Sequence, residues 1–251
     1  MADKFFKNFP EIQYRLNDGQ VIYIKDFFRK SKFEQENLHK VLNYTYYELD
    51  DGDARPDILA TKLYGNSDLH WTFFLVNEIE NYYDWYKDFE TFENYINKKY
   101  PGQYAVGSAS TNIVSAKSNS ADKTNKFLLG EKVTSVSSEG RVILVEPDKN
   151  RIAIEGGEFV DNEAITGKIS TKSFTPTSVI NQRDGVAYYK KDNLRNNTET
   201  SGYTAVTYYD EEWINNEAKR NIKIISPGVI NSVVKSFEKV MLSWVKMKIR
   251  L

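Results

Sequence analysis

Metal binding, acid–base work and nucleophilic attack fall mostly to histidine, cysteine and clustered acids, and this sequence uses the first two sparingly. It has two histidines, His39 and His70, and no cysteine. Without cysteine there can be no disulfide framework, thiolate metal site or cysteine nucleophile. His39 lies in a polar stretch, and His70 stands between Leu69 and Trp71 in a helical pattern. They form no spaced ligand pair, whereas zinc and iron sites need several donors. Each reads first as a structural histidine.

The densest acidic group is Asp50, Asp51, Asp53 and Asp57. Its spacing departs from the twelve-residue calcium loop, and no bidentate glutamate follows at the last position. A tight turn feeding a helix, with Asp57 at the positive helix N-terminus, accounts for the same residues. Carboxylate pairs for glycoside hydrolysis have no fixed sequence spacing, so with 35 acidic residues any chosen pair is uninformative. There is no glycine-rich phosphate loop with lysine, no G-x-G-x-x-G and no G-x-S-x-G elbow. The reading is a protein with no catalytic residue, no metal and no cofactor.

Charge narrows the partners. A net charge of -1, from 34 basic and 35 acidic side chains, gives no long-range field for phosphate backbones or anionic lipid. Neither nucleic acid nor membrane is expected as a partner. The start of the chain lacks the apolar core of a signal peptide, and no run approaches a membrane span, so synthesis in the cytoplasm is expected. Aromatics are abundant instead, with 17 Tyr, 14 Phe and 4 Trp. They suit a tyrosine-rich core, or equally a protein interface or a sugar platform.

The elements that position these side chains follow from local pattern. Asn17-Asp18-Gly19 between two alternating runs predicts a hairpin within residues 1–30. Tyr44–Leu49 reads as a strand. Pro56 in a first helical turn, Ile58, Leu59, Leu63 and Tyr64 at helical spacing, and Gly65-Asn66 as a stop predict a helix. A second, largely buried helix is predicted over Asp68–Asn77, and a third over Asp88–Lys99. Residues 104–125 are rich in Ser, Ala, Asn, Thr and Lys, the composition of a flexible linker. Residues 126–175 show short β-type runs broken by glycine, which predicts a small inserted all-β, barrel-like domain.

Residues 176–251 then return to the main domain, after a linking stretch at 171–185. A helix is predicted over Glu211–Arg220 and a strand over Asn221–Ile225. Ser226-Pro227 is a helix start, followed by Ile230, Val233, Val234, Phe237, Val240, Met241, Trp244 and Val245 at i, i+3 and i+4. That long amphipathic helix packs either on its own domain or on a partner. The fold class is α+β.

The segment Tyr46-Tyr47-Glu48-Leu49-Asp50-Asp51-Gly52-Asp53 through Leu63-Tyr64-Gly65-Asn66 resembles a LysM module, with Asp68-Leu69-His70-Trp71 and Asn77 fitting its second half. The resemblance implies a strand-helix-helix-strand core over about 44–80 within the first part of the chain, 1–103. Its structural signature is Gly52, Asp53, Pro56, Ala60, Leu63, Tyr64, Gly65, Asn66, Trp71 and Asn77. LysM modules bind peptidoglycan or chitin, so a peptidoglycan-binding module acting at the host envelope is one functional expectation.

A more specific resemblance joins Arg55-Pro56-Asp57-Ile58-Leu59-Ala60, Leu63-Tyr64-Gly65-Asn66, Trp71, Asn77 and Tyr82-Tyr83-Asp84-Trp85. With Phe9-Pro10, Tyr14, Asp26-Phe27-Phe28-Arg29 and the block Asn216–Ile225 followed by Ile230-Asn231-Ser232, these are similar to the baseplate wedge protein fifty-three family of T-even-type contractile phages. The likeness covers roughly 5–103 and 186–245, and residues 104–175 have no counterpart in it. It implies a structural subunit of the virion tail baseplate that joins neighbouring wedges around the hub. Six copies per baseplate, other wedge subunits as partners and no glycan are further implications. The aromatics expected to make those contacts are Phe5, Phe6, Tyr82, Tyr83, Trp85 and Tyr86, with Trp71, Tyr64 and Leu63 in the core.

Overall fold

The structure is a computed structural model that describes residues 9–26, 44–108 and 127–248. The chain divides into two compact units, Met1–Phe89 with Asn216–Leu251, and Glu90–Asn215. The first unit opens with the hairpin, β1 (Glu11–Arg15) and β2 (Val21–Lys25), paired antiparallel from Glu11↔Lys25 to Arg15↔Val21. Strand β3 (Tyr44–Glu48) leads through an acidic turn into α1 (Pro56–Tyr64). Pro56 takes the first helical position, where its missing N–H costs nothing. Gly65 ends α1 at φ +68°, its N–H bonded to the Thr61 carbonyl at 2.9 Å.

The second helix is shorter than its pattern suggests. Asn66 Oδ1 accepts the Asp68 N–H at 3.0 Å and caps a separate 3₁₀ turn, Ser67–Leu69; α2 then spans only Trp71–Val76. No strand follows within 77–80, so the expected strand-helix-helix-strand run over 44–80 is corrected at its last member.

The second unit begins at α3 (Phe89–Lys99) and continues with β4 (Gln103–Val106), β5 (Lys132–Thr134), β6 (Glu139–Glu146), β7 (Arg151–Glu155), β8 (Ile165–Gly167), β9 (Ser173–Phe174) and β10 (Ser178–Asn181). These strands form one antiparallel sheet in the order β10-β4-β7-β6-β5-β8-β9. Its core gathers Ala105, Phe127, Val133, Val142, Ile152, Ile154, Phe159, Ile165 and Phe174.

Two expectations change here. Residues 104–106 are not linker: Tyr104 and Ala105 are fully buried, and β4 lies between β7 and β10. Residues 171–185 are not a plain exit, since they contribute β9 and β10. Residues 109–126, most of the expected linker, lie outside the described residues.

A three-stranded sheet follows, β11 (Val186–Lys191), β12 (Leu194–Asn196) and β13 (Thr204–Thr207), with β11 central. It leads into α4 (Tyr208–Glu217), three residues earlier than the helix expected from Glu211. The cause is a reciprocal cap: Thr207 Oγ1 accepts the Asp210 N–H at 3.0 Å, and Asp210 Oδ2 accepts the Thr207 N–H at 3.1 Å. Within this unit Phe92 of α3 meets the rings of Tyr209 and Trp213 edge-on, at 5.6 and 5.2 Å. Glu212 accepts from Lys99 (2.6 Å), Tyr95 (3.0 Å) and Tyr100 (3.1 Å).

The chain re-enters the first unit as β14 (Asn221–Ile225), which pairs antiparallel with β3 from Asn221↔Glu48 to Ile225↔Tyr44. This strand supplies the partner that 77–80 does not. Ile222 and Ile224 then join Leu49, Leu59, Ala60, Phe73, Trp85 and Tyr86 in one core. The last helix, α5, spans Ile230–Lys248. Pro227 lies ahead of it in a turn closed by the Val229 N–H on the Ser226 carbonyl at 3.0 Å, so Ser226-Pro227 is a turn, not the helix start. Buried Ile230 and Phe237 lie two helical turns apart on one face; Phe237 stacks 4.9 Å from Trp71, with Phe9 and Leu75 alongside. At these positions α5 packs on its own unit.

Candidate functional site

The aromatic run after α2 divides sharply. A 3₁₀ turn, Tyr82–Asp84, is capped by Asn81, whose Oδ1 accepts the Tyr83 N–H at 3.0 Å. Tyr82 and Tyr83 project from it at 58% and 76% exposure. Tyr82 leans on Phe74 at 6.0 Å between ring centroids, and Tyr83 meets Tyr82 edge-on. The turn presents a pair of outward rings on a fixed backbone.

Trp85 and Tyr86 point the other way, each 3% exposed. Trp85 donates from Nε1 to the Asp53 carbonyl at 3.3 Å and packs on Phe73 and Phe74. Tyr86 donates its hydroxyl to Asp51 Oδ1 at 2.6 Å, and the Arg220 guanidinium lies 4.5 Å over its ring. The expected interface set is thereby corrected for these two residues, whose ring surfaces are already covered within their own unit. Phe5 and Phe6 lie outside the described residues.

The acidic cluster is a fastening. Asp53, 2% exposed, accepts the Tyr47 hydroxyl at 2.9 Å and pairs with Lys62 at 3.0 Å. Asp51 accepts from Tyr86 and from Arg220 (2.9 Å), and the Tyr86 hydroxyl followed by Arg220 holds its carboxyl below the ordinary range. Arg220 also bonds Glu217 and the Leu49 carbonyl. Among the described residues no group of three or more His, Asp or Glu could hold a metal ion. His70 Nδ1 lies 2.8 Å from the Ser67 carbonyl in a turn, and His39 lies outside the described residues.

The other signature residues serve packing and turns. Gly52 sits in the Asp51–Asp53 3₁₀ turn; Pro56 and Ala60 are buried; Leu63 and Tyr64 pack against the core. Burial raises the Tyr64 phenol to about 12, and its hydroxyl donates to the Ile225 carbonyl at 2.9 Å. Asn77 holds β14: its Nδ2 donates to the Lys223 carbonyl (2.8 Å) and its Oδ1 accepts the Lys223 N–H (2.7 Å). Asn216 repeats the device on Lys87, at 3.0 and 2.8 Å. Asn216 and Arg220 stand in the block Asn216–Ile225 that carries the resemblance, but their roles leave no local mark because their partners lie far away along the chain.

Residues 4–141 match the family described as base plate wedge protein 53. The chain belongs to that family. No curated protein matches the sequence. Membership makes the chain a structural component of the phage tail baseplate, among other baseplate components. The family match spans β1 to β5 and α1 to α3, including the Tyr82-Tyr83 turn, and so takes in residues 104–141, which the resemblance leaves without a counterpart. It ends inside β6, so β14, which closes the core of the first unit, lies beyond it.

Proposed function

We propose that this chain joins neighbouring wedges of the baseplate around the hub, six copies to a ring, through protein contacts and without catalysis. The observation that carries this reading is the outward pair Tyr82 and Tyr83 on a capped turn whose next two residues are locked into the core. Rigid aromatic anchors of this kind give large contact area at small entropic cost.

The LysM-like likeness is one of architecture. β3, α1, α2 and β14 supply the strand-helix-helix-strand set, with the last strand delivered after residues 90–215 have intervened. Asn77 would then be the residue that ends the second helix and receives the returning strand.

Exposed tyrosines also stack on sugars, so the competing reading is peptidoglycan binding. Co-sedimentation separates the two. The full chain, mixed separately with insoluble peptidoglycan and with wedges that lack it, is expected to pellet only with the wedges. Retention on peptidoglycan that Tyr83→Ala abolishes would overturn the wedge-joining role.

A further inference from the structure

We propose a second protein-contact point, on the Glu90–Asn215 unit: a clasped pair of aliphatic tips, Leu129 and Ile169, that enters an apolar socket rimmed by carboxylates on a neighbouring baseplate protein. The inference rests on the baseplate reading and adds a surface to it. Leu129 and Ile169 are 70% and 67% exposed, although each stands at the tip of a well-formed turn. The first turn is closed by the Glu131 N–H on the Leu128 carbonyl at 3.1 Å. The second is closed by the Thr171 N–H on the Gly167 carbonyl at 3.1 Å.

One buried side chain ties the two turns together. Glu131, 1% exposed, accepts the Leu128 N–H on Oε1 at 2.6 Å. Its Oε2 accepts the N–H groups of Ile169 (3.2 Å) and Ser170 (3.0 Å). Gly167 leaves room for it, since a Cβ there would stand 2.6 Å from Glu131 Oε2. Burying a carboxylate is costly unless its oxygens are satisfied by donors, as they are here. The fold thus fixes the spacing of two side chains that contribute little to its own core. A solitary exposed aliphatic needs no explanation, but two on turns gripped by one buried carboxylate form a preorganised contact.

Charge selects the partner. Lys168 and Lys172 flank the second tip without a direct ion pair among the described residues; Lys132, at the base of the first turn, pairs with Glu139, whose charge Lys168 also feels. Three lysines against Glu139 and the buried Glu131 leave these two turns with a net positive charge, which matches an acidic rim. Two aliphatic side chains bury too little surface to hold a chain of this size on a bilayer, whereas a shaped protein socket gains from their fixed spacing.

The test measures affinity of the full-length chain for isolated wedges that lack it, at 50 and 300 mM salt. The double variant Leu129→Ser/Ile169→Ser is expected to bind at least about tenfold more weakly than the parent, with an unchanged melting temperature. The variant Lys168→Glu/Lys172→Glu is expected to weaken binding at low salt and to flatten the salt dependence. Parental affinity in the aliphatic double variant would overturn the contact point while leaving the baseplate reading intact. Flotation of the parent with phosphatidylglycerol vesicles, lost in that variant while wedge affinity stays, would overturn the protein partner. Failure of the parent to bind wedges at all would overturn the baseplate reading, and this inference with it.

Discussion

The Asn77 carboxamide is hydrogen-bonded in both directions to the main chain of Lys223, offering β14, on the edge away from β3, the donor and acceptor that a further strand would offer. A third bond, from Nδ2 to the Phe73 carbonyl at 2.8 Å, fixes the side chain to the end of α2. One amide thus couples the last turn of a helix to a strand from the far end of the sequence.

Replacing Asn77 with alanine leaves two main-chain groups of Lys223 without their protein partners. The expected cost is about 1–3 kcal/mol, read from urea unfolding. Asn77→Asp should not rescue the loss, because a carboxylate cannot donate to the Lys223 carbonyl. Stability equal to the parent in both variants would show that the clamp is dispensable.

Deletion of residues 216–251 removes β14, Asn216 and Arg220 together. Strand β3 then has no partner among the described strands, and Ile222 and Ile224 leave the core. Hydrogen exchange should show α1 and α2 unprotected while β6 and β7 stay protected. Protection retained in α1 and α2 would mean that the first unit closes without its returning strand.

Trp85→Ala and Tyr83→Ala should behave oppositely, although the residues are two apart. Loss of the buried indole is expected to cost about 3–5 kcal/mol. Loss of the exposed phenol should change stability by no more than about 0.5 kcal/mol and should weaken wedge association instead. Thermal melts and wedge binding, measured on both variants, decide the matter.

Glu212 makes the second unit sensitive to acid. Burial pushes its carboxyl up, but bonds from Lys99, Tyr95 and Tyr100 outweigh this and hold it below its ordinary value. A carboxyl depressed in the folded state contributes stability above its unfolded value, near about pH 4.3, and that contribution disappears as pH falls through the folded value. Glu212→Gln should therefore be less stable than the parent at pH 7 and approach it as the pH falls below the ordinary carboxylate range. A constant difference across that range would count against this ion cluster.

Much of the local structure was legible. Asn17-Asp18-Gly19 placed the hairpin, Pro56 and Gly65 bracketed α1, and Ile230 with Phe237 marked the buried face of α5, because turns, caps and periodicity are written in adjacent residues. The β3–β14 pairing was not legible, since strand partners from opposite ends of a chain leave no local mark. Tyr82-Tyr83-Asp84-Trp85-Tyr86 has no periodicity to separate surface from core, and a 3₁₀ turn makes the separation. Strand β4 was hidden beside a serine-rich stretch whose composition dominates its surroundings. In the site, the turn of the 50–53 acids ahead of α1 was legible, but their partners Lys62, Tyr86 and Arg220 come from other elements.

Sedimentation velocity on wedges from the same phage, with and without the full-length chain, tests the joining role most directly. A shift from single-wedge particles to multi-wedge rings, reduced by Tyr83→Ala, is the expected result. Wedges that bind the chain yet sediment singly would contradict it and leave the joining step to another subunit.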